Sequence, residues 1–116
     1  MWFCFNDAFV SVVEELRSPD IRAKRPKMLV VRARRKAHLT KLFPKMAITE
    51  TPKRDYRWRV TVPAKVWADL VAKRVMAIDY GNFKDSVKED TLHDMYAVWW
   101  ADHHRYQTDR HRQKWG

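Results

Sequence analysis

Tyr56, Trp58, Val60 and Val62 alternate with Arg57, Arg59 and Thr61. A period of two predicts a strand over 56–62 with one apolar and one basic face. The same period runs through 28–34, where Leu29, Val31 and Ala33 oppose Arg32 and Arg34. Residues 9–14 are rich in β-branched side chains and read as another strand, possible from Trp2 onwards. A strand over 46–51 and the turn Pro52-Lys53-Arg54-Asp55 complete a hairpin with 56–62. Helical spacing takes over elsewhere. Residues 35–43 form a short helix with Leu39, Leu42 and Phe43 facing inward, and Pro44 stops it because proline cannot continue the ladder. Pro63 suits the first turn of a second helix, along which Val66, Trp67, Leu70, Val71, Val75 and Ile78 recur. Gly81 is its stop signal, expected with a positive φ. A last helix is capped either by the box Ser86-Val87-Lys88-Glu89 or by Asp90. Its stripe is Leu92, Met95, Tyr96, Trp99, His103 and Tyr106. Acids gather near its start, and Arg105, Arg110 and Arg112 near its end, as the helix dipole favours.

The order ββαββαα predicts an α+β fold: two layers, with a four-stranded, mainly antiparallel sheet and helices on one face. The opposite sheet face is left to solvent, which antiparallel sheets tolerate. One domain over 1–116 is expected, with residues 1–8 as an extra N-terminal segment and 107–116 as a frayed basic tail.

Composition supports a packed core: 46% of the 116 residues are hydrophobic, including six Trp, five Phe and four Tyr. Cys4 is the sole cysteine, so an internal disulfide and a cysteine-based zinc site are both excluded. Met1-Trp2-Phe3-Cys4-Phe5 breaks at Asn6-Asp7 and lacks a basic leader, which argues against a signal peptide. No apolar run approaches the roughly 20 residues that span a bilayer. A cytoplasmic protein without membrane attachment is expected.

Charge is distributed unevenly. Between Arg17 and Arg74 there are 18 Lys or Arg against four acids, a local excess of +14 against +10 for the whole chain. A field this lopsided attracts polyanions or an acidic partner surface.

Four stretches carry a resemblance: Leu29-Val30-Val31-Arg32-Ala33-Arg34; Thr51-Pro52-Lys53-Arg54-Asp55-Tyr56-Arg57-Trp58-Arg59; Ile78-Asp79-Tyr80-Gly81-Asn82-Phe83-Lys84-Asp85-Ser86-Val87; and His93-Asp94-Met95-Tyr96 with Val98-Trp99. Over roughly 9–100 the chain resembles a family of small bacteriophage and bacterial proteins, often encoded in mobile elements, with no established activity. The stretch Asp79-Tyr80-Gly81-Asn82-Phe83-Lys84 is the most specific part. The resemblance implies a phage or prophage accessory role and carries over no catalytic residue. Residues 1–8 and the basic insertion 22–27 depart from the family pattern.

Four constellations are candidates for function. Strand alternation gathers Arg32, Arg34, Arg57 and Arg59 on one sheet face, with Arg22, Lys24, Arg25 and Lys27 in the adjoining loop. Such a set grips phosphates or an acidic protein patch. Tyr56 and Trp58 alternate against those arginines and are expected to face the helices, as core residues do. Trp100 and Trp115 fall off the apolar stripe and are candidate exposed contacts. The residues His93, His103, His104 and His111 with Asp94, Asp102 and Asp109 lack metal-site spacing, since seven residues of helix separate His104 from His111. The loop 79–84 reads as a helix–helix corner, with Asn82 bonding local backbone and Phe83 filling the core. No catalytic set, metal site or cofactor loop emerges, so a non-enzymatic binding module is expected. Its expected partner is nucleic acid or a host nucleoprotein complex. The alternative is an inhibitor of a host defence complex, such as CRISPR-Cas, or of a transcription complex, docking on an acidic surface. No periodic signal sets an oligomeric state.

Overall fold

The segments of period two pair into an open antiparallel sheet. In the computed structural model, which describes residues 1–16, 20 and 26–109, the strands are β1 (Trp2–Cys4), β2 (Phe9–Glu14), β3 (Met28–Ala33), β4 (Thr49–Glu50) and β5 (Trp58–Pro63). Their spatial order is β1-β2-β3-β5-β4, and each neighbouring pair is antiparallel. The sheet therefore has five strands instead of four. The fifth arises because the apolar N-terminal segment does not prolong β2. It turns at Asn6-Asp7, closed by Phe5 N–H donating to the Ala8 carbonyl at 2.9 Å, and returns along β2 with Trp2 opposite Ser11. Strand β4 is shorter than the expected 46–51 and lies at the sheet edge, where a short strand limits unpaired backbone.

Helices α1 (Lys36–Leu42) and α2 (Ala64–Met76) cover one face of this sheet. Beneath them Val10, Val12, Val31, Ala33, Val60 and Val62 are buried, together with Leu39, Leu42 and Phe43 from the α1 region and Trp67 from α2. The Trp67 ring lies 5.1 Å from Phe3, 6.1 Å from Phe5 and 6.0 Å from Phe43, centroid to centroid. The N-terminal hairpin thus supplies part of the core instead of standing apart from it. Burying each such large side chain stabilises the fold by roughly 1.5–3 kcal/mol. His38, also buried, accepts a hydrogen bond from Phe9 N–H at 3.2 Å through Nδ1 and ties α1 to β2. The apolar stripe of α2 is only partly used: Leu70 and Val71 pack on the core, whereas Val66 and Val75 are exposed, and the helix ends at Met76, short of the exposed Ile78 that was expected to close the stripe.

These elements belong to the first of two compact units, Met1–Asp79; the second is Tyr80–Gly116. In the second, α3 (Phe83–Ser86) precedes α4 (Asp90–Thr108). Phe83 packs on Tyr96 at 5.0 Å and on Tyr80 at 5.9 Å. Asn82 caps α3 by accepting from Asp85 N–H, as its place in the corner suggested. Neither expected cap opens α4. Ser86 is used up in α3, where it donates to the Phe83 carbonyl, and the Glu89 carboxylate accepts from Leu92 N–H. Gly81 has no positive φ, so it does not turn the chain through the left-handed region as expected. The α4 stripe is covered through Trp99, while His103 and Tyr106 are exposed. No helix among the described residues is long and apolar enough to cross a membrane.

Candidate nucleic-acid interface

The face of the sheet away from α1 and α2 carries the other half of each alternation. Register places its residues in rows. One row runs Ser11, Arg32, Arg59, Thr49 across β2, β3, β5 and β4. The next runs Val13, Val30, Thr61. Two residues along a strand separate the rows, about 6.8 Å. Arg32 and Arg59 are direct cross-strand partners, an arrangement that like charges disfavour by roughly 0.2–1 kcal/mol.

The hairpin turn between β4 and β5 adds a third guanidinium. Thr51 organises that turn: its N–H donates to the Arg57 carbonyl at 2.6 Å, and its hydroxyl donates to the Tyr56 carbonyl at 2.9 Å. The same hydroxyl oxygen accepts from Arg59 Nε at 3.2 Å. Arg54 and Asp55 are thereby folded over the row. Arg32, Arg54 and Arg59 line a groove of about 550 Å³ with Val13, Val30 and Leu16, while Glu14 and Asp55 complete its lining.

Electrostatically this is a strained site. The Arg59 side chain is only 17% exposed. Burial first, then the charges of Arg54 and Arg32, push its pKa below the usual guanidinium value. Asp55 works in the other direction, but its carboxylate is 3.9 Å from Arg59 Nη2. Arg32 donates from Nη2 to Ser11 Oγ at 2.6 Å, yet its buried Nε has no hydrogen-bond partner. Among the described residues neither Arg32 nor Arg54 has a carboxylate within ion-pair distance. Perturbed, closely packed like charges of this kind concentrate at binding sites.

Tyr56 lies on this face and not under the helices. Its buried ring sits 4.6 Å from the Arg32 guanidinium and 4.3 Å from that of Arg34. Arg34 also donates to the Asp55 carbonyl at 2.5 Å. The face switch has a local cause. Regular pairing of β5 begins only at Trp58, so the period of two does not extend back through the turn. Arg57 consequently leaves the arginine row. It is paired with Glu50 at 2.9 Å, and Glu50 is opposite Trp58, whose face looks towards the helices.

The structure therefore brings together Arg32, Arg34 and Arg59 and sets Arg57 apart. Lys27 sits just before β3, at the end of that strand away from Arg34, with its ammonium 3.9 Å from Glu14. Arg22, Lys24, Arg25, Arg110, His111, Arg112 and Trp115 lie outside the described residues, as do the other residues of 17–19 and 21–25. Arg54 was hidden from pattern reading because turn residues carry no period. In the second unit Trp100 is 55% exposed, with Lys84 Nζ 4.6 Å from its ring centre and the His104 ring stacked on it at 6.0 Å. His93 and Asp94 approach to 3.8 Å, but among the described residues no three His, Cys, Asp or Glu side chains converge as metal ligands would.

No family model, curated protein or solved structure matches the chain.

Proposed function

We propose that this protein is a non-enzymatic nucleic-acid-binding module that grips phosphates through Arg32, Arg54 and Arg59, with Arg34 at the flank. The observation that carries this reading is the direct opposition of Arg32 and Arg59 beneath Arg54. Crowding three guanidiniums costs stability in the free protein. A phosphate placed among them offsets that cost. The large positive excess over 17–74 steers a polyanion towards the same unit. In this reading the protein works in the cytoplasm as an accessory factor of a phage or mobile element, on nucleic acid or a nucleoprotein complex.

Salt titration tests it. Affinity for nucleic acid should fall steeply and log-linearly with salt, by roughly 0.7–0.9 in slope for each phosphate engaged. Salt-insensitive binding excludes the reading. Affinity purification with and without nuclease separates it from docking on an acidic protein surface. A stable partner that survives nuclease favours the protein target, and loss of all partners favours nucleic acid.

A further inference from the structure

We infer that the groove takes an unpaired strand, holding a base as well as a phosphate. This rests on the phosphate-gripping reading above and narrows its ligand. A duplex presents its phosphates on a broad convex surface, and gripping it needs only exposed cations. The site here is built differently. Its most important cation, Arg59, is largely covered, and beside the arginine row lies an apolar row, Val13 paired with Val30. Leu16, 98% exposed, stands at the rim. The side chains of Val13 and Val30 contribute nothing to phosphate binding. They do suit the faces of a nucleobase. The groove volume of about 550 Å³ lies in the range that encloses a small organic ligand of nucleotide size, and it is too small for a double helix.

Two adjacent rows therefore provide two chemistries at the spacing of one sugar. The phosphate meets Arg32, Arg54 and Arg59. The base lies over Val13 and Val30, with the planar Arg54 guanidinium available to stack, as guanidiniums do on unpaired bases. Readout of base edges is not part of the proposal, because the floor offers apolar contact and no fixed donor pattern.

The test compares three labelled ligands by fluorescence anisotropy at low and moderate salt: an unpaired pyrimidine oligonucleotide in deoxy and ribo forms, a duplex matched in phosphate number, and inorganic polyphosphate of equal charge. Either unpaired form should bind about tenfold tighter than duplex and polyphosphate. Val13→Thr with Val30→Thr, which keeps shape and strand preference, should erase that margin and leave polyphosphate binding unchanged. Leu16→Ser, at a position whose exposure removes any folding risk, should reduce the margin in the same direction. Equal binding of all three ligands overturns the base subsite while leaving phosphate gripping in place, and so does a margin that both variants preserve. Failure of all three ligands to bind at low salt overturns the phosphate reading itself.

Discussion

The two faces of the sheet are made from the same strands and differ most at their centres. On the covered face, valines, Ala33 and Trp67 are packed so closely that each is almost inaccessible. On the open face, two arginines are set against each other across β3 and β5, with a third folded over them. The covered face lowers the free energy of the fold; the direct opposition of Arg32 and Arg59 works against it. Strand alternation explains how both arise from one segment, but only the covered face is explained by folding. A row that sets like charges against each other at the centre of the sheet is what the proposed phosphate binding would account for.

The contrast breaks most severely at Trp67. Trp67→Ala removes the ring on which Phe3, Phe5 and Phe43 converge. It should destabilise the fold by about 3–5 kcal/mol, read as a lowered urea midpoint. Phosphate binding should be lost only in proportion to the unfolded fraction. Charge reversal on the other face should have the opposite signature. Arg32→Glu with Arg59→Glu should weaken binding at least about a hundredfold at low salt, roughly 3 kcal/mol, a loss larger than any fall in the folded fraction read from the melting curve. Arg59→Met sharpens the point further. It keeps the packed stem and removes the repulsion, so stability should stay level or rise by up to ~1 kcal/mol as the salt slope drops by about 1. Clear destabilisation by Arg59→Met would show that the row is structural.

Tyr56 lies between these extremes because it is buried on the open face. Tyr56→Leu keeps an apolar body but removes the ring that faces the Arg32 and Arg34 guanidiniums. The expected loss is about 1–2 kcal/mol in stability, since each cation–π contact contributes about 0.5–1 kcal/mol. Its effect on affinity should be smaller than that of any arginine in the row, which a paired melting and anisotropy measurement will check.

Legibility in the sequence follows the same division. Residues 9–14 were recognisable from their β-branched content, 28–33 because both faces of a strand obey one period, and 36–42 because Leu39 and Leu42 mark a helix face that Pro44 ends. The basic face was likewise visible in Arg32 and Arg59. Other features needed information beyond local periodicity. Strand β1 depends on a turn at Asn6-Asp7, and an apolar run alone does not say whether it extends a strand or folds back along it. Val66 and Val75 satisfy the helical period of α2 yet remain exposed, because period predicts a face and not how much of that face is covered. Arg54 enters the groove through turn hydrogen bonds to Thr51, which no pattern of polar and apolar residues encodes.

Arg57 provides the finest discrimination, since it neighbours Trp58 and is only two residues from Arg59. A charge-count view makes the two arginines equivalent. The geometry makes them different: Arg57 is committed to Glu50 and lies 5.7 Å from the Trp58 ring, on the side away from the groove. Its ion pair is more than half exposed at the arginine and contributes no more than ~1 kcal/mol. Arg57→Ala should therefore change stability by less than that and leave the salt slope unchanged, whereas Arg59→Ala lowers the slope by about 1. Equal slopes for the two variants would mean that binding senses net charge over the whole unit. A loss confined to Arg59 would mean that it senses the groove, because removing one positive charge two residues away changes the long-range field almost equally in both proteins.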